Sequence, residues 1–402
     1  MDIIVFGASS FVGRLLCQHL WEAHRESDLA WGIAGRSEEK LLALKSELGA
    51  SDEQLPHFIA DAGDDEALHA LCNQCSVVVS TVGPYALHGE PLVRACVETG
   101  TDYCDLTGEV QWIRRMIMRY EEQARETGAR LVPCCGFDSI PSDMGVYFLQ
   151  EHIRSQHGQY AREVRMRVSK LKGGVSGGTV ASLLNVYREA SRSPGVRREL
   201  NDPYSLCPGN HPFRERQRQV HLEYDNEHNS WMAPFVMAAI NTRIVHRSNA
   251  LRGAAYGEDF LYEEAMLTGD GRSGAKRARR LGVGLKLFSI GAAIAPSRWI
   301  MQRFLPKPGE GPTAEERENG HFEMQFTGWI DRQTKVKAMV SGVRDPGYGA
   351  TGKMLGEAAV CLARDAATKK ANGGFWTPAT LLGEKLITAL EERAGLTFRI
   401  SD

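Results

Sequence analysis

The sequence predicts an α/β chain, with a doubly wound parallel sheet first and then a second, α+β domain containing a mostly antiparallel sheet. Three observations carry this. Through residue 145, short apolar runs alternate with stretches of helical periodicity, the pattern of a parallel sheet covered on both faces. The first run, Ile3 to Phe6, passes directly into small residues, Gly7-Ala8-Ser9-Ser10-Phe11-Val12-Gly13, and then into a helix. Farther on, residues 163–171 and 322–343 alternate apolar and polar at period two, as antiparallel strands with one buried face do.

The elements follow in order. After the opening strand and helix, 30–36 is expected as a strand and 37–49 as a helix with Ser37 as cap and Gly49 as stop. A third strand (57–61) and helix (64–74) lead to a fourth strand, 76–85, that ends in a turn. A helix over 89–100, a strand with its exit loop over 102–109, a long helix closed by Gly128 and a sixth strand over 129–136 complete this part. Ser142 is expected to cap the next helix. The loop 205–219 is expected to be mobile. Near the end come a Gly-rich loop and helix (345–363) and a helix capped by Thr377, with Pro378 at its first position and Gly395 as stop. A last strand follows over 396–400. The expected domains are 1–145, 146–345 and a segment 346–402 that returns to the first.

Composition narrows the function. The 402 residues suit about two domains. Lys and Arg (48) nearly balance Asp and Glu (50), so the molecule as a whole is not built for nucleic acid. Nine scattered cysteines suit a reducing compartment. Cys72 and Cys75 form a C-x-x-C without a second pair at matching spacing, so no metal is expected. The chain starts on an apolar strand with no basic flank, which predicts no secretory leader and a cytoplasmic protein.

Right-handed crossovers bring the carboxyl ends of the parallel strands to one edge, where a dinucleotide lies in a Rossmann domain. In the first turn Gly7 permits the bend and Gly13 lets the helix approach the sheet. Ser9 and Ser10 add hydroxyls beside a helix N-terminus, a site for phosphate. At the end of the second strand an NAD enzyme usually has an acidic residue on the ribose hydroxyl. This sequence has Arg36-Ser37, whose guanidinium and hydroxyl suit a 2′-phosphate. NADP is therefore the expected cofactor.

"GASSFVG" (7–13), "AGRS" (34–37), the run from Val77 to Glu109 and "GFDSIPSDMG" (136–145) resemble the saccharopine dehydrogenase-like oxidoreductases, and within them the trans-acting enoyl reductases. The resemblance continues through 176–185, 305–312, 345–363 and 373–386, nearly the whole chain. It implies an NADP-binding Rossmann domain, a second domain, and a C-terminal return to the first. Some members reduce carbon–carbon double bonds of polyketide-derived lipids, acting in trans. Carried over by residue, Gly7, Ser9, Ser10, Phe11 and Val12 would hold the pyrophosphate, with Ser10 standing where a glycine is usual. Arg36 and Ser37 would hold the adenosine phosphate, and Asp61 would meet the adenine. Thr81, Val82, Gly83 and Pro84, with the loop around Asp105, would approach the ribose and nicotinamide.

The expected reaction is NADPH-dependent reduction of an enoyl group in a lipid- or polyketide-like acyl substrate. Hydride arrival creates an enolate, which needs preorganised donors and then a proton. Loops after strands four to six offer Tyr85 and His88, Asp105 and Glu109, and Asp138, Ser139 and Asp143. Tyr85 is the first choice as donor and Asp138 the second. Two alternatives stay open: a saccharopine-type enzyme acting on an amino-acid C–N bond, and a non-catalytic NADP-binding lipid-surface protein.

Gly174 to Gly178 satisfies G-x-S-x-G, expected as a turn shaping the cleft rather than a hydrolase elbow. From Gly271 to Gly309 no acidic residue occurs, and basic residues flank a glycine-rich apolar run. Lys286 and Pro296 make the apolar run within 272–307 too short and too polar to span a bilayer, which takes about 20 apolar residues. The segment leaves three readings: a membrane-surface segment, a dock for an acyl carrier protein, or a helix covering the cavity. A homodimer is compatible with the sequence.

Overall fold

The computed structural model describes residues 1–174, 177–304, 311–365 and 373–401. Among the described residues fourteen strands form two sheets. In chain order they are β1 (Ile3–Phe6), β2 (Trp31–Gly35), β3 (His57–Ile59), β4 (Val77–Ser80), β5 (Asp102–Asp105), β6 (Arg130–Val132), β7 (Glu163–Lys172), β8 (Glu223–Asp225), β9 (Ser230–Pro234), β10 (Leu261–Gly269), β11 (His321–Trp329), β12 (Lys335–Val343), β13 (Gly374–Phe375) and β14 (Leu396–Ser401).

The first sheet has the order β13-β6-β5-β4-β1-β2-β3, and every neighbouring pair is parallel. β1 and the first three residues of β4, at its centre, are apolar because both faces are covered. Ile3 and Val5 point into one core and Ile4 and Phe6 into the other, and β4 divides Val77 and Val79 from Val78 in the same way. Glycines in the left-handed conformation end the connecting helices at Gly49, Gly100 and Gly128.

The second sheet has the order β14-β12-β11-β7-β10-β9-β8. It is antiparallel except for the β7–β10 pair. Helix Ile140–His157 leads into it from β6 and packs against β11 and β12, with Ile140, Met144, Leu149 and Ile153 in the core they share.

The last sixty residues touch both sheets. Helix Gly349–Arg364 lies along helix Phe11–His24, β13 pairs with β6, and β14 pairs with β12. Buried Arg130 donates from Nη2 to Asp102 at 2.6 Å and to the Leu362 carbonyl at 2.8 Å. Glu357, fully buried, accepts from His19 at 2.7 Å, His24 at 2.9 Å and Arg393 at 3.0 Å. Burial alone would raise its carboxyl, but the hydrogen bonds from His19 and His24 outweigh that and hold it at about 2.

Three local expectations need correction. Helix Ile140–His157 begins before Ser142, which sits inside its first turn and accepts from Asn241 Nδ2 at 3.0 Å instead of capping. Pro141 suits a first helical turn, where no amide is required, and this permits the earlier start. Segment 205–219 has no regular structure, yet it is packed: Leu206, Cys207 and Phe213 are buried, and Phe213 and His211 lie against Tyr204. The single helix expected from Thr377 to Gly395 is broken at Gly383, whose φ is +50°, and resumes as Gly383–Ala389.

Candidate active site

The turn after β1 is held from below by the end of β4. Gly7 has φ +83°, and a Cβ there would lie 2.7 Å from Val82 Cγ2 and 2.8 Å from Thr81 Oγ1. No other residue fits. Thr81 donates its hydroxyl to the Gly7 carbonyl at 2.9 Å and shares a 2.9 Å hydrogen bond with Ser10. Ser10 is the cap of helix Phe11–His24 and accepts from the Gly13 amide at 2.9 Å. A Cβ on Gly13 would stand 2.3 Å from the Gly7 carbonyl oxygen. Among the described residues, the amides of Phe11 and Val12 have no acceptor. A helix start with free amides and no side chain over the turn is a cradle for a pyrophosphate.

The other predicted cofactor residues extend from this turn along the strand ends. Ser9 lies beside Gly35 at the end of β2. Arg36 is exposed just beyond it, and Ser37 caps helix Glu38–Leu48 through the Lys40 amide. Asp61, also exposed, accepts from the Gly63 amide at 2.9 Å. Gly83 and Pro84 carry the chain from Thr81 into the short helix Tyr85–His88. His88 is exposed.

A cavity of about 190 Å³ opens beside the turn. Ser10, Phe11, Val12, Thr81, Gly83, Tyr85 and Asp138 line it from the first sheet. Arg36, Ser37, Asp61 and Asp105 do not. The opposite wall comes from the second domain: Leu183 and Val186 on helix Gly177–Arg192, then Val236, Met237 and Ile240. Among the described residues, no Lys or Arg lines it. Tyr348 closes one end, packed edge-on against Phe11 with ring centres 4.5 Å apart.

Tyr85, Glu109 and Asp138 reach the floor, with Asp105 just beneath it. Tyr85 is buried and gives its hydroxyl hydrogen to the Ser80 carbonyl at 2.9 Å. Burial, then the charge of Asp105, pushes its ionisation well above the usual range. Asp105 lies below the loops rather than in the cavity: it accepts from Tyr103 at 2.8 Å, the Thr107 amide at 3.0 Å and the Cys134 amide at 3.1 Å. It thus ties the exits of β5 and β6 together, and burial raises its carboxyl to about 7. Asp138 faces the cavity, and burial with the nearby Asp105 charge raises it to about 7 as well. Asp143 points elsewhere, accepting from Ser248 at 2.5 Å and the Ala379 amide at 2.9 Å.

Glu109 is the residue whose position the sequence conceals. It precedes helix Val110–Thr127 but makes no side-chain cap there. Its carboxylate crosses to the start of helix Tyr85–His88, accepting from the amides of Tyr85 at 2.8 Å and Ala86 at 3.1 Å. It also accepts from Ser182 at 2.8 Å. Nothing in the local pattern marked Ser182, or Met237 and Ile240, as neighbours of the first sheet. Only the apolar run "APFVMAAI" (233–240) hinted at a second wall. Val175 and Ser176 of the G-x-S-x-G run lie outside the described residues, whereas Gly178 lines the cavity.

A dinucleotide cradle at the edge of a parallel sheet, opening on a mostly apolar cavity with a protonatable carboxyl, defines an NADP-dependent oxidoreductase. Residues 3–132 match the family described as the saccharopine dehydrogenase NADP-binding domain. A protein of Mycobacterium tuberculosis, provisionally named as a trans-acting enoyl reductase, is 39% identical over 401 residues, covering 97% of this chain and 95% of that one. The trans-acting enoyl reductase of Mycobacterium ulcerans is 36% identical over 410 residues, covering 97% and 96%. Saccharopine dehydrogenase (L-Glu forming) of Saccharomyces cerevisiae shares the fold over the full length of both chains, with a TM-score of 0.55 at 12% identity. The chain belongs to the saccharopine dehydrogenase-like oxidoreductases, in the branch of the trans-acting enoyl reductases.

Proposed function

We propose that the protein reduces the conjugated double bond of an apolar enoyl substrate with NADPH. The observation that carries this is the apolar wall of Leu183, Val186, Val236, Met237 and Ile240, with no Lys or Arg among the described residues of the lining. An amino-acid substrate would bring a carboxylate that has no counter-ion there. An acyl chain would find the surface that it needs.

NADPH, when bound, supplies the hydride and its electron pair to the β-carbon. The chain's own residues do the rest. The free amides of Phe11 and Val12 hold the phosphates, Ser10 and Thr81 fix the turn that presents those amides, and Arg36 carries the 2′-phosphate. The apolar wall orients the acyl chain and excludes water, which strengthens polar interactions within. Electrons pass from the double bond to the carbonyl oxygen, and the resulting enolate takes a proton at its α-carbon. Asp138, poised near 7, is the group to give that proton, becoming a carboxylate that solvent reprotonates. Tyr85 shapes the floor with its hydroxyl committed to Ser80. The nine free thiols support work in a reducing compartment.

The test is NADPH consumption by the purified protein with 2-enoyl thioesters of increasing chain length. Turnover that improves with length is expected. NADPH binding without enoyl turnover, together with oxidation in the presence of a 2-oxo acid and an amino acid, would reject the reading.

A further inference from the structure

Helix Gly271–Ala293 has two unlike faces. Gly274, Ala278 and Ala292 are buried. This inner face lies on β9 and β10 and on helix Gly177–Arg192, where Val180 and Leu184 meet Ala292 and Phe288. Tyr187 and Ser289 share a hydrogen bond of 2.7 Å there.

At about 100° per residue the opposite stripe carries Arg272, Lys276 and Arg279, then Val283, Leu287 and Ile290, with Ile294 at the C-cap. All seven are exposed. Leu287 is 63% exposed, and Trp299, on the following helix Ala295–Phe304, is 58% exposed. Arg280 and Lys286, also exposed, flank the stripe. Single apolar residues at a surface need no explanation, but a contiguous apolar stripe does.

We propose that this face docks the protein on an anionic lipid surface. Its cationic half suits anionic headgroups, and its apolar half, with Trp299 on the following helix, suits shallow burial at the acyl boundary. Residues 271–309 contain no Asp or Glu, so nothing in the segment opposes a negatively charged surface. An acidic carrier protein would pair with the basic half and leave the apolar half uncovered. Among the described residues no helix is long and apolar enough to cross a membrane, so the helix lies on the bilayer. The supporting helix Gly177–Arg192 turns its other side, with Ser182, Leu183 and Val186, into the cavity. Docking face and cavity thus share a wall, although lipid affinity does not depend on the reaction proposed above.

The test sediments the full chain with vesicles of phosphatidylcholine alone and with vesicles containing about a third phosphatidylglycerol. Binding at least about tenfold tighter to the anionic vesicles, weakened by salt, is expected, with a further loss of about tenfold in the double variant Leu287→Asp, Ile290→Asp. NADPH affinity and unfolding midpoint should not change, because both side chains point outward. Absence of binding to either vesicle, or binding indifferent to the double variant, overturns the proposal. So does a wild-type dimer that the double variant converts to monomer in light scattering, which would make this face a contact between two copies. A saturable complex with an acyl carrier protein, abolished by the double variant in the absence of vesicle binding, overturns it as well.

Discussion

Ser182 donates its hydroxyl hydrogen to Glu109 at 2.8 Å, and this bond joins the two domains across the cavity. Glu109 has already drawn two amides of helix Tyr85–His88 toward itself, so one carboxylate sets the floor and anchors the opposite wall. Ser182→Ala removes the tether and leaves the floor intact. A stability loss of about 1 kcal/mol in urea unfolding is expected, with a raised KM for the acyl substrate and little change in NADPH affinity. Glu109→Ala strands three donors at once and should cost about 2–4 kcal/mol, with turnover lost before folding.

Arg36→Glu tests the cofactor phosphate. Replacing an exposed guanidinium at the end of β2 with a carboxylate places like charge against the 2′-phosphate. NADPH affinity should fall by about a hundredfold while NADH binding is retained or improves. Fluorescence titration with both coenzymes measures it.

Asp138 gives a signature in pH. The acid form is the donor, so kcat should be level at low pH and fall as pH rises through about 7. Asp138→Asn should lower kcat by about 10²- to 10⁴-fold and remove that limb, with NADPH affinity intact. A slower enzyme whose pH profile keeps the same limb would assign the titration to another group.

Stability should fall between mildly acidic and mildly basic solution. Burial raises Asp105, Asp138 and Glu264 to about 7 and Asp143 to about 6, from unfolded values near 4. A carboxyl with a raised folded value binds its proton more tightly in the folded chain. Its contribution is full below the unfolded value and is lost as pH rises through the folded one. Glu357 works the other way: its contribution is full above about 4.5 and is lost only as pH falls toward 2. It is therefore constant across the window. The unfolding midpoint should be higher near pH 5.5 than near pH 8, and Glu264→Gln should reduce the difference, as followed by thermal melts at about half-unit steps.

Most of the first sheet was legible because β1, β2 and β4 are short apolar runs, each followed by a turn or a cap. Ser37, Gly49, Gly100 and Gly128 all do what local chemistry predicts. The turn from Gly7 to Gly13 was legible for the same reason, since positive φ and close approach leave few residue choices. What could not be read were contacts across long separations and the directions of side chains. Glu109 stood among the loop residues offered to the reaction, yet its carboxylate holds the start of helix Tyr85–His88. Tyr85 looked like a donor into the cavity, yet its hydrogen goes back to Ser80. Glu357 meets His19 from 338 residues away, and a two-residue strand such as β13 carries no period at all.

The position of the two final strands bears on how the chain is made. β13 sits at one border of the parallel sheet and β14 at one border of the other. During synthesis, therefore, Arg130–Val132 and Lys335–Val343 each emerge with one edge unpaired until residues 374–401 follow. A ribosome that stalls before residue 374 would release a chain with two sticky borders rather than one finished half.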